Sequence, residues 1–262
     1  MTLILTELSR HGVAMAADSA TTKTNGRSLY GIQKLLPVPQ INAGISIWGK
    51  GQVKNVDTDI WTQSFIIDDI NSNMTLLDAA NILTDKLNNT FGDVLKERMG
   101  FHLAGFDTKN DIRGPAFYHV HNGHYEMNLQ FGHAIITPKE EPPIREFRVV
   151  QDRPPMIYKE NQFGLTGNGD FVIVTYLRTA IQEKIETELK LKAGIVFPHP
   201  DTLSTRGEYL RFLIQTTAEI KRLSNQRLRV LLQPATAGET SIGGPITVLT
   251  ISDKGIESFY SR

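Results

Sequence analysis

Cysteine is absent from this 262-residue chain. That removes disulfides, thiolate metal sites and a cysteine nucleophile together. An excess of charge of either sign is absent too, since Lys+Arg and Asp+Glu number 28 each. A neutral chain lacks the basic footprint of a nucleic-acid binder and the polybasic segment that holds a protein to an anionic membrane. No stretch nears the roughly 18 consecutive apolar residues of a membrane span. Glu7, Arg10 and His11 interrupt the opening apolar run, and no basic segment precedes it, so it does not read as a secretory signal. The expected location is cytoplasmic, with neither nucleic acid nor membrane as a partner.

Cofactor signatures are also missing. The Gly167 to Asp170 loop has no Lys-Ser/Thr after it and is not a phosphate loop. His119, His121 and His124 cluster around a turn, but no carboxylate or cysteine motif completes a metal site. These histidines read as exposed residues of a hairpin, and neither cofactor nor metal is expected.

What is present is a globular composition, 40% hydrophobic and 21% charged, long enough for one large core. Val13-Ala14-Met15-Ala16-Ala17 is a continuous apolar run, as in a strand buried on both faces. Strands are also expected at 3–5, 34–38 and 43–48. Helices are expected at 51–68 and from Thr75, where Asp78 completes an acidic capping box. Strands return at 101–105 and 116–120, and Asn122-Gly123 predicts a hairpin to 125–129. Residues 138–160 read as an exposed, Pro-rich insertion. Helices follow at 171–191 and 204–227, then strands at 246–251 and 255–260. Helix pairs between strand blocks suit one α+β domain over residues 1–262.

The most specific signal lies in the first fifty residues. Asp18 stands sixteen residues after Thr2, and Lys34 thirty-two after it. Gly12-Val13-Ala14-Met15-Ala16-Ala17-Asp18-Ser19, with Thr22 shortly after and Lys34-Leu35 beyond, resembles the opening of a proteasome β-subunit. Trp48-Gly49-Lys50-Gly51, Phe101 to Asp107, Leu165 to Asp170 and Ile242 to Val248 are similar to later motifs of that family of N-terminal-nucleophile (Ntn) hydrolases. The resemblance implies a four-layer αββα sandwich of proteasome-subunit type and a threonine-type peptidase or amidohydrolase. Thr2, exposed by loss of Met1, would be the nucleophile.

The chemistry implied is coherent. A threonine hydroxyl must lose its proton to attack, and a free α-amine of pKa roughly 7.7–8.0 can take it near neutral pH. Lys34 would favour the developing alkoxide, Asp18 would hold Lys34, and the Gly49 N–H would face the oxyanion. Asn168 and Glu239 stand where the family has a serine and an aspartate near the amine. Thr22 and Gly51 would contact substrate. Because its role is electrostatic, replacing Lys34 by alanine is expected to leave folding nearly unchanged.

The resemblance further implies peptide or unfolded-protein substrates, self-association into a ring or stack, and an ATP-dependent unfoldase partner. The apolar stretch Val172 to Leu177 suits a neighbouring subunit or the other helix of its pair. Two rival readings keep the fold and change the function: a non-catalytic scaffold, and an amidase acting on a small metabolite.

Overall fold

The computed structural model describes residues 2–22, 28–29, 31–91, 98–123, 125–130, 133–138, 146–160, 162–169, 171–180, 190–192, 200–231 and 242–262. The strands are β1 (Leu3–Ser9), β2 (Gly12–Asp18), β3 (Thr21–Thr22), β4 (Ser28–Leu29), β5 (Leu35–Val38), β6 (Ala43–Gly49), β7 (Gln52–Val53) and β8 (Val56–Asp57). They continue with β9 (Met99–Lys109), β10 (Ile112–His121), β11 (Tyr125–Gln130), β12 (His133–Pro138), β13 (Arg148–Arg153), β14 (Phe163–Gly169), β15 (Ile246–Ser252) and β16 (Gly255–Ser261). The helices are α1 (Thr58–Asp69), α2 (Leu76–Phe91), α3 (Phe171–Ala180) and α4 (Leu203–Leu231).

Two five-stranded antiparallel sheets carry the core. The first has the order β14-β1-β2-β15-β16 and the second β13-β10-β9-β6-β5. Alternation along β2 explains its unbroken apolar run. Val13, Met15 and Ala17 join the layer containing Leu35, Ala104 and Phe117 of the second sheet, whereas Ala14 and Ala16 turn to the other side. There they meet Val174 of α3 and Leu210, Leu213 and Ile214 of α4. Gly207 lets α4 settle on the first sheet, since a Cβ there would lie 2.9 Å from Val248. Leu76, Ala80, Leu83 and Leu87 repeat at helical spacing and seat α2 on Ile45, Phe101 and Tyr118. The α2 cap forms as expected: Asp78 N–H donates to Thr75 Oγ1 at 3.1 Å, and Thr75 N–H donates to Asp78 at 3.0 Å.

The four-layer αββα sandwich expected from the element order is corrected. Antiparallel sheet dominates, with sixteen strands against four α-helices among the described residues, and three two-stranded ribbons beyond the large sheets. The excess of strand comes from segments read otherwise in the sequence. Residues 52–57 form the β7–β8 ribbon, because Lys54 and Asn55 take positive φ and reverse the chain before α1 begins. β11 pairs with β12 and not with β10, so Asn122-Gly123 ends β10 without making the expected hairpin. The Asn122 side chain instead accepts the Met99 N–H at 2.8 Å. Within the expected insertion, β13 pairs with β10, and Phe147 is buried against Phe91. In α3, Val174 is covered within the domain while Tyr176 stays exposed.

One buried ion pair ties the first strand to the last long helix. Arg206 of α4 donates to Glu7 of β1 at 2.5 Å, and the Arg178 guanidinium lies 4.1 Å over the Phe163 ring beside them. Burial raises the Glu7 carboxyl from its usual range, and Arg206 pulls it back. Replacing one partner strands a buried charge, so Glu7→Gln should cost about 3 kcal/mol of unfolding free energy. Urea denaturation checks this. A midpoint within error of the parent would show that the pair contributes nothing.

Candidate functional site

The geometry begins where β1 starts. Gly169, at φ 99°, brings β14 so close that a Cβ there would overlap the Thr2 carbonyl. Leu3 pairs with Gly169 on one side, and its N–H donates to Asp18 Oδ1 at 3.0 Å on the other. Thr2 is thereby held from both flanks and is buried.

Asp18 closes β2 and is 1% exposed. A carboxylate so buried must be saturated with donors. It accepts the N–H groups of Leu3, Ala20 at 3.3 Å and Gly243 at 3.3 Å, and the Lys34 ammonium at 2.9 Å. Lys34 sits just before β5, is 5% exposed, and donates also to the Ala20 carbonyl. Burial raises the Asp18 carboxyl from its ordinary value, and Lys34 and the N–H donors oppose the shift. Burial lowers the Lys34 ammonium, and Asp18 opposes that. A buried, partnered lysine of depressed pKa can hold charge beside a reacting hydroxyl and move a proton.

Thr2 and Lys34 line one cleft of about 20 Å³, room for about one water, together with Ile32, Ile47, Trp48, Gly49, Lys50, Gly51, Thr58 and Asp59. Thus Thr2, Lys34, Gly49 and Gly51 share the cleft, and Asp18 stands behind it on Lys34. Gly49 has φ 90°, and a Cβ there would lie 2.2 Å from the Arg98 carbonyl, so its strand partner demands glycine. Gly51 accepts the Thr58 N–H at 3.0 Å at the entry to α1. Thr22 lies in β3, but its side chain is outside the described part of the structure, and Glu239 is outside the described residues.

Asn168 does not line the cleft. It sits on β14 opposite Ile4, and its Oδ1 bonds His102 Nε2 between the sheets. His119 and His121, expected to be exposed, are buried at 1% and 3%. The expectation failed because β10 turns both imidazoles toward the inter-sheet layer, where His119 faces His102 in register. His124 lies outside the described residues. Sequence reading also missed Gly243 as a donor to Asp18, although the Gly243-Gly244 turn was visible, and it missed Thr58 and Asp59 at the cleft. A larger hollow of about 350 Å³ lies at the other end of β1, with Arg10, His11, Arg113, Tyr158 and Asp253 in its lining. No described helix is long and apolar enough to cross a membrane.

No family model and no curated protein matches the chain. Among solved structures it is similar to an Anbu (Gly-1) mutant from Hyphomicrobium sp. strain MC1, at 11% identity and TM-score 0.47, over 100% of this chain and 87% of that one. It is likewise similar to Anbu (ancestral beta-subunit) from Yersinia bercovieri, at 15% identity and TM-score 0.48, over 99% and 86%. The membership of the proteasome β-subunit family read from the first fifty residues is therefore corrected. Similarity this low, with no matching family model, reaches a distant proteasome-like likeness at most, and the function has to be argued from the site.

The saturation of Asp18 revises the expected silence of Lys34 in folding. Lys34→Ala leaves a buried carboxylate with its ammonium gone, and should cost about 3–5 kcal/mol. Asp18→Asn/Lys34→Met removes both charges at similar volume and should recover most of that loss. Thermal and urea unfolding of the three proteins checks the order, and a double variant as unstable as the single would contradict it.

The buried His102 gives a pH dependence. Burial lowers its pKa to about 4, against 6.5 unfolded. A depressed folded value means the stabilisation is present above pH 6.5 and is lost as pH falls toward 4, because only the unfolded chain binds the proton. His102→Gln should therefore flatten the stability slope in that window by up to about 1.4 kcal/mol per pH unit. Unfolding curves at pH 7, 6, 5 and 4.5 test it, and parallel slopes in the two proteins would refute it.

Proposed function

We propose that this chain is an amide-bond hydrolase of threonine type, with Thr2 as nucleophile once its amine is free. The observation that carries the reading is the shared cleft. Thr2 and Lys34 line the same small hollow, and the Asp18–Lys34 pair behind it is buried at 2.9 Å. Gly49 and Gly51 form part of its wall.

The steps follow from the groups in place. The Thr2 hydroxyl attacks the amide carbonyl, and its proton passes to the Thr2 amine. Lys34 stabilises the oxygen that carries developing negative charge, and Asp18 keeps Lys34 oriented. The oxyanion forms against the Gly49 main chain. The tetrahedral intermediate collapses, the C–N bond breaks, and the protonated Thr2 amine gives its proton to the leaving amine. Water then attacks the Thr2 ester by the reverse roles, releasing the acid and restoring the hydroxyl. Peptides and small amides both satisfy this chemistry. Asn168, turned to His102, supports the strand that flanks Thr2 and takes no proton.

The reading requires Met1 to be absent from the working protein. Incubation with a β-lactone, whose ring opens on a nucleophilic hydroxyl without loss of atoms, should add one full lactone mass to Thr2. Intact-mass and fragment spectra locate the adduct. Thr2→Ala should abolish it. Asp18→Asn/Lys34→Met, folded but uncharged, should slow it more than tenfold, or roughly 1.4 kcal/mol of barrier. Quantitative retention of Met1, or an adduct elsewhere, overturns the reading.

A further inference from the structure

Three imidazoles lie between the sheets, close behind the cleft. The ring centroids of His102 and His119 are 5.0 Å apart, and those of His119 and His121 are 4.4 Å apart. All three are buried. Burying three polar rings is costly unless their nitrogens are bonded. His102 Nδ1 meets Thr6 Oγ1 at 3.1 Å, and its Nε2 meets Asn168 Oδ1. The Gly123 N–H donates to His121 Nδ1 at 3.2 Å.

His119 is the member bonded to a residue that lines the cleft. The Trp48 indole N–H donates to His119 Nε2 at 3.0 Å. An indole nitrogen only donates, so His119 must accept there and carry its own proton on Nδ1. That nitrogen points toward Asp152, whose Oδ2 is 3.8 Å away and makes no hydrogen bond of its own. The charged and titratable groups around His119 are thus His102, His121 and Asp152. Burial holds His119 well below its ordinary value, with the two neighbouring histidines adding to the effect. It therefore remains neutral, and the acceptor nitrogen is constantly available.

Trp48 is confined from another side as well. A Cβ on Gly100 would come within 2.5 Å of the indole ring, so the ring lies directly on the glycine backbone. Trp48 packs in the inter-sheet apolar layer and also lines the cleft next to Gly49. The ring is held by a floor at Gly100 and a directional bond at His119, and its position sets the shape of the space facing Thr2.

We infer that His119 is a positioning residue for the Thr2 cleft: its hydrogen bond from the Trp48 indole fixes the cleft wall against which the acyl group of a substrate must lie. His119 touches neither the nucleophile nor the substrate and acts through Trp48. The inference rests on the hydrolase reading for the identity of the reaction, but the Trp48–His119 link is measurable without it.

The test uses the full chain carrying Trp61→Phe, which leaves Trp48 as the sole tryptophan of the two in the sequence. His119→Gln keeps an acceptor, and His119→Phe keeps the ring volume without one. Trp48→Phe removes the donor from the other side, and Gly100→Ala pushes the ring with the bond intact. Two readouts are taken: tryptophan emission with acrylamide quenching, and the rate of β-lactone acylation at Thr2. His119→Phe should shift emission to the red, raise quenching at least twofold and slow acylation about tenfold. His119→Gln should stay within about threefold of the parent in both readouts. Trp48→Phe and Gly100→Ala should slow acylation as His119→Phe does, with far-UV dichroism unchanged.

Unchanged emission and quenching in His119→Phe overturns the inference, because the bond then does not hold the ring. Equal loss of acylation in the Gln and Phe variants also overturns it, since packing alone would then be the cause. If the parent protein itself fails to react with the lactone, the hydrolase reading fails, and the emission data still decide whether His119 fixes Trp48. Should His119→Phe not fold, Trp48→Phe and Gly100→Ala decide the same question, and normal acylation in both would refute it.

Discussion

A lysine ammonium and an aspartate carboxylate removed from water together form the constraint on which this end of the molecule depends. Neither Asp18 nor Lys34 could be buried alone. Their burial is tolerable because the carboxylate collects N–H groups from three separate stretches of chain: Leu3 at the start of β1, Ala20 just past β2, and Gly243 before β15. Each donor belongs to a different connection, so satisfying one charge fixes the mutual placement of four segments. Lys34 adds the Ala20 carbonyl as a second anchor. The result is a rigid polar knot at the edge of an otherwise apolar inter-sheet layer, with Thr2 held against it.

The polar groups deeper in the layer follow a different rule. Burial keeps His102 and His119 neutral, where Asp18 and Lys34 are a pair of opposite charges. A neutral imidazole needs only one donor and one acceptor partner, and cross-strand neighbours supply them: Thr6 and Asn168 for His102, Trp48 for His119. The His102 bonds to Thr6 and Asn168 give direction between two sheets that apolar packing would leave free to slide, because dispersion contacts are weakly directional. At this end of the layer the buried charge pair stands at the cleft, and neutral hydrogen bonds hold the shape behind it.

How much of this was legible in the sequence depended on whether a signal was local. The double-sided burial of β2 could be read from five consecutive apolar residues, and the α2 cap from Thr75 and Asp78. The partnership of Asp18 with Lys34 was expected only through the family resemblance, since nothing in their sixteen-residue separation requires the contact that the fold makes. The histidine array was not legible. It depends on His102 and His119 being opposed in the β9–β10 register, which no stretch of either strand reveals alone. The setting of Asn168 was hidden for the same reason: its segment was read as a loop, and the face it presents follows from the pairing of β14 with β1. The β7–β8 ribbon was hidden because its reversal uses Lys54 and Asn55 at positive φ in place of the glycine that would have announced it. The balance of sheet over helix was lost through these misread short segments, since each was assigned to a helix or a loop by its polarity.

A buried ion pair could serve as a tether and nothing more, so the argument for chemistry turns on what surrounds it. A tether would be best placed in a closed core and could be replaced by apolar residues of the same size without consequence. This pair is at the wall of an opening that Lys34 lines together with Thr2. The surrounding backbone is also arranged for access. Gly169 permits contact with the Thr2 carbonyl that no side chain would allow, and Gly49 permits a strand end that any Cβ would block. The Gly169 approach on one side and the Leu3 N–H bond to Asp18 on the other narrow the placement of Thr2. Preorganisation of a nucleophile beside a fixed charge is what lowers a reaction barrier, because the reorganisation is completed during folding and not during attack. The cost of burying Lys34 is offset if its charge has a use, and it is this expensive burial at a cleft shared with Thr2, more than any likeness of overall shape, that supports the proposed hydrolase reading.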